Sequence, residues 1–296
     1  MQVNQFVPLL SIKMTLNVLK EHQCYGGVLT YYSHASQSVN GEMAFAVFYP
    51  PQMENGVRLP ALTYLAGLTC TQETFMMKGG AQQFASEHGI ILIAPDTSPR
   101  GAGIATEDDS WDFGTGAAFY IDASQKDWDK NYRMEDYVTI ELQGIMNESL
   151  NVDMAKQGIF GHSMGGHGAL TLGLKYPEIY KSISAFAPIC APTDCPWGKK
   201  AFQGYLGSDT DVWKRHDAVE LVRGLDKSQY RTILIDQGLN DEFLEEQLKP
   251  GQLEQVCNEV GFPLNLRYQE GYDHSYYFIS TFMSDHIAHH AKIICA

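Results

Sequence analysis

The sequence predicts an α/β protein in which a mainly parallel central sheet begins with antiparallel strands and is covered by helices on both faces. Three observations lead to this prediction. Two strand-like runs, 27–32 and 43–49, come first with no helical pattern between them. From residue 61 onward, short apolar runs alternate with helical patterns, which is typical of parallel strands joined by helices. One of these runs leads into a helix through a glycine-flanked serine, Ser163.

The later strands are short apolar stretches bounded by Gly and Pro. We predict them at 61–66, 90–94, 157–160, 182–186, 232–235 and 264–268. Helices are predicted over 133–148, 165–175, 253–260 and 275–292, where apolar residues recur at helical spacing. The apolar face of the first of these helices consists of Met134, Tyr137, Val138, Leu142, Ile145 and Met146.

Two long stretches, 96–130 and 189–211, show no convincing periodicity and are predicted to be irregular. Irregular connections of this length are uncommon in compact domains and usually build a site or a lid. Their aromatic residues argue against solvated, disordered loops.

Composition indicates one soluble domain over 14–296. Of the 296 residues, 44% are hydrophobic and 19% charged, which excludes a disordered or fibrous protein. The formal charge of −14 repels nucleic acid and anionic membranes, so we expect neither as a partner. Residues 1–13 lack the basic start and apolar core of a secretory signal and are predicted to form an N-terminal extension that need not be ordered.

The six cysteines indicate reduced thiols in a cytoplasmic protein. They are scattered, with no C-x-x-C pair. No combination of cysteine and histidine has zinc-site spacing, and no H-E-x-x-H motif occurs. We therefore predict neither a metal nor a cofactor.

The pentapeptide Gly161-His162-Ser163-Met164-Gly165 has the G-x-S-x-G pattern of a nucleophile elbow. In such an elbow a sharp strand-to-helix turn raises the serine hydroxyl above the sheet, and glycines relieve the crowding. The pentapeptide alone is a weak signal, but the apolar run before it and the helical pattern after it favour this interpretation.

A serine hydroxyl needs a base oriented by an acid, and on this kind of sheet they follow in the order Ser, Asp or Glu, His. Among the late histidines, His274 alone directly follows a predicted strand and precedes a helix. For the acid we favour Asp241, in the loop beyond strand 232–235, over Asp236 at the strand end. Asp236 could instead stabilise the loop.

An oxyanion needs two preorganised N–H donors. One is expected from Met164, directly after the serine, and the other from the loop after an early strand. In this sequence that loop is 66–70, and we choose the amide of Leu68.

Five longer motifs extend the pattern. They are 64–70 (YLAGLTC), 110–114 (SWDFG), 161–169 (GHSMGGHGA), 195–202 (CPWGKKAF) and 271–278 (GYDHSYYF). Together they closely resemble the S-formylglutathione hydrolase, or esterase D, family from about residue 16 to the C-terminus. The resemblance implies a cytosolic α/β-hydrolase, usually a homodimer, that hydrolyses S-formylglutathione to glutathione and formate in formaldehyde detoxification.

The resemblance also implies residue roles. The family's nucleophile, acid and base fall on Ser163, Asp241 and His274, and its oxyanion donors fall on the Leu68 and Met164 amides. Its cysteine near the site falls on Cys70, whose thiol would make the enzyme sensitive to thiol-directed reagents.

For the substrate, a glutathione thioester, we name four candidate contacts. These are Trp111, Trp197, Lys199 and Lys200. We expect bulky groups of the Trp111 loop to form a tight acyl pocket, and the two lysines either to hold glutathione carboxylates or to be a solvated pair.

Three other functions remain open from sequence. They are a general short-chain carboxylesterase or thioesterase, an acyltransferase with the same triad, and a non-catalytic binding protein.

Overall fold

The computed structural model describes residues 15–53 and 56–296, so the predicted extension 1–13 lies outside the described residues. The described chain contains a nine-stranded sheet of order β1-β2-β3-β5-β4-β6-β7-β8-β9. Its strands are β1 Asn17–Cys24, β2 Gly27–Ser36, β3 Gly41–Tyr49, β4 Leu59–Leu65, β5 Ile91–Pro95, β6 Val152–His162, β7 Tyr180–Phe186, β8 Ile233–Gly238 and β9 Leu264–Gln269.

Strand directions confirm the predicted sheet. The pairs β1–β2, β2–β3 and β3–β5 are antiparallel. All pairs from β5–β4 to β8–β9 are parallel. Sequence analysis missed β1, because this edge strand is almost wholly exposed and its NVLKEHQC sequence has little apolar patterning.

The helices are α1 Gln72–Lys78, α2 Ala81–His88, α3 Met134–Asp136, α4 Leu142–Ser149, α5 Met164–Lys175, α6 Pro196–Leu206, α7 Thr210–Lys214, α8 Ala218–Gly224, α9 Pro250–Val260 and α10 Tyr276–Ile294. A π-helical turn, Tyr137–Glu141, joins α3 to α4. The four predicted helices are confirmed, with shifts of a few residues at their ends. All six apolar side chains predicted for the first of them are buried.

Hydrophobic cores cover both faces of the sheet. On β3, Phe45 and Val47 belong to one core cluster, whereas Ala46 and Phe48 belong to the other. Successive strand residues point to opposite faces, so the two clusters lie on opposite sides. One side packs α4, and the other packs α5 and α10, as predicted.

The prediction of an irregular segment over 189–211 was wrong, because most of this stretch is helical. Cys195 caps α6, its Sγ accepting from the Gly198 amide at 3.4 Å, and Pro196 occupies the first turn, where proline favours a helix. Pro196 and Gly198 taken alone indicate a loop. The buried side chains Trp197, Ala201, Phe202, Tyr205 and Leu206 do follow helical spacing.

The segment 96–130 is irregular, as predicted, but it is tightly packed. Glu107 is buried, accepts from the Tyr132 hydroxyl at 3.0 Å and accepts from the Ala102 and Gly103 amides at 3.2 Å each. The Phe113 ring stacks on Tyr205 of α6 at 4.4 Å. The loop that carries Trp111 is therefore held in place by the protein interior.

A buried polar network fixes α10 to the sheet. The Asp236 carboxylate accepts from His286 Nε2 at 3.1 Å. Because His286 Nε2 carries the proton, its Nδ1 accepts from Ser184 Oγ at 2.8 Å. The Ser184 oxygen in turn accepts a hydrogen bond from His290 Nε2 at 2.8 Å. His290 Nδ1 lies 2.6 Å from the Ser182 hydroxyl. Each donor meets an acceptor when both histidines are neutral, and burial lowers the pKa of both.

Asp236 is thus a structural residue. It also accepts from Arg267 Nε at 2.7 Å and Gln269 Nε2 at 2.8 Å on the neighbouring strand. Burial alone would raise the pKa of this carboxyl, but the hydrogen bonds from His286 and Arg267 outweigh it and lower the pKa to about 2.

We expect Asp236→Asn to lower the free energy of unfolding at pH 7 by about 3–5 kcal/mol, because it leaves Arg267 and His286 without their charged acceptor. An aspartate with a lowered pKa stabilises the fold above its unfolded pKa of about 3.9 and loses that contribution as the pH falls toward 2. The difference in free energy of unfolding between wild type and variant should therefore shrink as the pH is lowered from about 4 to 2. Chemical denaturation at each pH measures it.

Asp285→Asn is the matched control, since Asp285 contacts the same arginine at 2.8 Å but is half exposed. This substitution should lower the free energy of unfolding by at most about 1 kcal/mol. Equal losses in the two variants would contradict the role given to Asp236.

Candidate active site

Ser163 lies in the sharp turn between β6 and α5. Its backbone has φ 57° and ψ −119°, a region that side chains rarely adopt. A methyl group on Gly165 would overlap the carbonyl of Leu65 at the end of β4, and one on Gly161 would overlap the carbonyl of Gly165. Glycine at both positions lets the helix approach the sheet this closely.

Backbone hydrogen bonds hold the strained serine from three sides. The Ser163 amide donates to the Phe186 carbonyl at 3.0 Å. The Ser163 carbonyl accepts from the amides of His167 at 2.9 Å and Ile189 at 3.2 Å. The neighbouring strand and the new helix therefore fix the turn, and the strain persists because its surroundings determine it.

Asp241 and His274 meet in the loops that follow β8 and β9. His274 Nδ1 donates to Asp241 Oδ2 at 2.6 Å. Gln237 Nε2, at 3.2 Å, and the Phe243 amide, at 2.9 Å, also donate to the Asp241 carboxylate, which is buried. These bonds fix the imidazole tautomer, with the proton on Nδ1 and Nε2 left free to accept a proton.

A cavity of about 130 Å³ joins these residues. It is lined by Gly67, Leu68, Cys70, Trp111, His162, Ser163, Trp197, Phe243 and His274. Of the residues singled out from sequence, Ser163, His274, Leu68, Cys70, Trp111 and Trp197 line this cavity. Met164 and Asp241 are not among the lining residues. Met164 directly follows Ser163 in the chain, and Asp241 is hydrogen-bonded to His274.

Aromatic side chains form one wall of the cavity. Trp111 and Trp197 meet edge to face at 5.6 Å, Trp197 lies 4.8 Å from Phe243, and Phe243 lies 5.0 Å from the His274 ring. Sequence analysis missed Phe243, although its place two residues after Asp241 was a usable signal. This wall keeps water from one side of the imidazole.

The amides of Leu68 and Met164 are suited to bind an anion. Met164 is the first residue of α5, so its N–H has no acceptor inside the helix. The Leu68 amide donates to no group in the described part of the chain. A methyl group on Gly67 would lie 3.2 Å from Ser163 Cβ, which shows how closely this loop approaches the serine.

His162 lines the cavity beside His274. Its ring lies 4.3 Å from the ring of His274 and is buried, and neither nitrogen has a hydrogen-bond partner among the described residues. Burial, together with the charge that His274 can carry, lowers the pKa of His162 well below its usual value. A neutral ring therefore packs beside His274.

Cys70 lies at the cavity with its thiol protonated. Burial raises its pKa, and hydrogen bonds with Thr74 and Tyr276 and the charge of Lys78 oppose that rise only in part. A protonated thiol is a weak nucleophile.

Lys199 and Lys200 do not line the cavity. Lys199 forms an ion pair with Asp194 at 3.4 Å, and both side chains are exposed. Lys200 forms an ion pair with Asp112 and donates to Ser110 Oγ at 2.7 Å, so it connects α6 to the turn that carries Trp111.

Within residues 15–53 and 56–296, no cluster of three or more metal-ligating side chains is present. None of the helices in those ranges is long and apolar enough to cross a membrane.

Comparisons with known proteins agree with this geometry. The Esterase family model, described as "Putative esterase", matches residues 36–289. S-formylglutathione hydrolase of Mus musculus is 55% identical over 96% of this chain and its own full length. The Arabidopsis thaliana enzyme of that name is 48% identical, over 94% of this chain and 98% of its own.

Solved structures show the same fold. An S-formylglutathione hydrolase from Agrobacterium tumefaciens superposes with a TM-score of 0.90 at 45% identity, covering 94% of this chain and 99% of its own. A ferulic acid esterase superposes with a TM-score of 0.70 at 17% identity, covering 90% of this chain and 98% of its own. The second likeness concerns the fold alone, which is that of the α/β-hydrolases.

The positive φ of Ser163 generates a stability prediction. Ser163→Gly removes the Cβ that is strained at this φ, whereas Ser163→Ala keeps it. We expect the glycine variant to be more stable than the alanine variant by about 1 kcal/mol, despite the greater chain entropy of unfolded glycine. Denaturant unfolding of the pair measures this difference, and a less stable glycine variant would contradict the strain.

Proposed function

The chain belongs to the S-formylglutathione hydrolase family of esterases, and we propose that it hydrolyses S-formylglutathione to glutathione and formate, a step of formaldehyde detoxification. One observation carries the chemistry: an elbow serine shares a small cavity with a histidine that is hydrogen-bonded to a buried aspartate. The names of relatives that are 48–55% identical support the substrate.

In the proposed reaction Ser163 is the nucleophile, His274 the general base and Asp241 the acid that orients it. His274 accepts the hydroxyl proton as Ser163 attacks the formyl carbon. The imidazolium that forms is stabilised by Asp241, 2.6 Å from its Nδ1. The neutral His162 ring beside it adds no opposing charge.

The developing oxyanion is proposed to bind the amides of Leu68 and Met164. Because both amides are fixed by the backbone, they need no reorganisation during the reaction, and each donor of this kind lowers the barrier by about 3 kcal/mol. Glutathione leaves as a thiolate and takes the proton from the His274 imidazolium, which restores the neutral base. His274 then accepts a proton from the water that attacks the acyl-serine, and it returns this proton to Ser163 as formate leaves.

The small cavity favours a small acyl group. Trp111, Trp197 and Phe243 leave about 130 Å³ in front of the serine, and formyl is the smallest acyl group. A general short-chain carboxylesterase remains the alternative, since the triad would act on other small esters equally well.

We also propose one domain over 14–296, a homodimer and a cytoplasmic location. The single sheet that runs through the described residues supports one domain, and the family resemblance supports the homodimer. All six cysteines are free, which is consistent with a reducing compartment.

Ser163→Ala should lower kcat/KM for S-formylglutathione by at least about 1000-fold while the protein stays folded, because the nucleophile is lost. Steady-state assays with circular dichroism as the folding control measure this. Retained activity would refute the role of Ser163.

Comparing wild-type kcat/KM for S-formylglutathione with that for an aryl acetate separates the two candidate functions. A large preference for the thioester is expected. Comparable values would favour a general esterase.

Lys200→Met should weaken selection for small acyl groups, because it frees the turn 110–112 and with it the Trp111 wall. We expect the ratio of kcat/KM for an aryl formate to that for the aryl propionate to fall several-fold. Lys199→Met, one residue away on α6 but paired with Asp194, is the control and should keep the wild-type ratio. Equal ratios in all three proteins would refute this positioning role.

A further inference from the structure

The catalytic cavity is too small for a whole glutathione thioester, so the carrier of the acyl group must extend beyond it. An open groove of about 580 Å³ lies beside the cavity and is lined by Lys78, Ser275, Tyr276, Tyr277 and Ser280. It combines the C-terminal end of α1 with the first turns of α10, which directly follow His274.

Tyr276 is shared between this groove and the surroundings of the catalytic cavity. Its ring lies 6.0 Å from that of His162, and its hydroxyl lies 3.4 Å from that of the buried Tyr64. His162 itself lines the cavity. A ligand that leaves the cavity beside His162 therefore meets the groove.

Lys78 gives the groove a positive charge. In the described part of the chain its ammonium has no carboxylate within ion-pair distance, and it lies 6.0 Å from the centre of the Tyr276 ring. Its charge opposes in part the rise that burial causes in the pKa of the Cys70 thiol, so its field extends to the mouth of the cavity.

A second cavity of about 450 Å³ lacks such an unopposed positive charge. Its lining includes Leu239, Glu245, Lys249 and Tyr268. Its lysine is paired with Asp194 at 3.2 Å, and Glu245 adds a negative charge. This cavity is therefore less suited to an anionic ligand than the groove at Lys78.

The rim of the groove exposes apolar surface. Tyr277 is 85% exposed and Met77, next to Lys78, is 74% exposed. A ligand lying in the groove would cover part of the Tyr277 ring, which lines it.

We propose that this groove is the subsite for the thiol carrier, a short peptide with free carboxylates, and that Lys78 binds one of those carboxylates while Tyr277 covers the peptide backbone. The inference rests on the proposed function and names the part of the site that holds the leaving group. Lys199 and Lys200, named for this role from the sequence, pair with Asp194 and Asp112 and do not line the groove.

Lys78→Gln tests the subsite. The ratio of kcat/KM for S-formylglutathione to that for an uncharged aryl formate should fall roughly two- to fivefold, the size expected for an exposed ion pair, and the fall should appear in KM. High salt should reduce the wild-type ratio toward that of the variant. Lys214→Gln, which removes the same charge from an exposed lysine paired with Asp211, should keep the wild-type ratio.

S-methylglutathione, which cannot be hydrolysed, provides the second measurement. As an inhibitor of aryl formate hydrolysis it should bind the Lys78→Gln enzyme two- to fivefold more weakly than wild type. Equal inhibition of both, with an unchanged substrate ratio, would overturn the subsite. Wild type that cleaves aryl formate but not S-formylglutathione would refute the proposed function instead, and the inhibition constants would still decide whether the groove binds the peptide.

Discussion

The close approach of α5 to the carboxyl ends of β4 and β6 is the constraint on which the site depends. Gly165 lies against the Leu65 carbonyl, and Gly161 against that of Gly165, so neither position has room for a side chain. This approach forces Ser163 into its strained turn. It also brings the loop after β4 so near that Gly67 would contact Ser163 through any added methyl group. Nucleophile and candidate oxyanion donors are thus placed by one packing interaction.

A buried polar network performs the corresponding task for the base. Asp236 joins β8 to β9 through Arg267 and to α10 through His286. His274 lies between β9 and α10, so both ends of its loop are held by the same carboxylate. Such a network costs desolvation energy, but it specifies one arrangement when every member is satisfied. As a result, Asp236 rather than Asp241 fixes the loop, and Asp241 only has to contact His274.

Much of the fold could be predicted because its signals are local. Seven strand-like runs became the strands β2 to β5 and β7 to β9, and the run 157–160 became part of β6. The edge strand β1 could not be predicted, since its side chains are almost all exposed within the described part of the chain and its sequence has little apolar alternation. Helix α6 was missed for a different reason. Pro196 and Gly198 indicate a turn when taken alone, and only the burial of the side chains after them shows that they begin a helix.

The same distinction explains which site residues were found. Ser163, Asp241 and His274 were predicted as a triad from motif and chain order. The structure places Ser163 and His274 at one cavity, with Asp241 hydrogen-bonded to His274. The partners of surface charges depend on which loop packs against which helix. Lys200 pairs with a residue 88 positions away, and no pattern in α6 indicates this. Lys78 carries no motif either. Its position becomes informative only once α1 and α10 are seen to meet beside the cavity. The chain has a net charge of −14, and Lys78 has no ion-pair partner among the described residues. Such a cation offsets locally the field that would otherwise repel the proposed anionic substrate, which is a physical reason for its position.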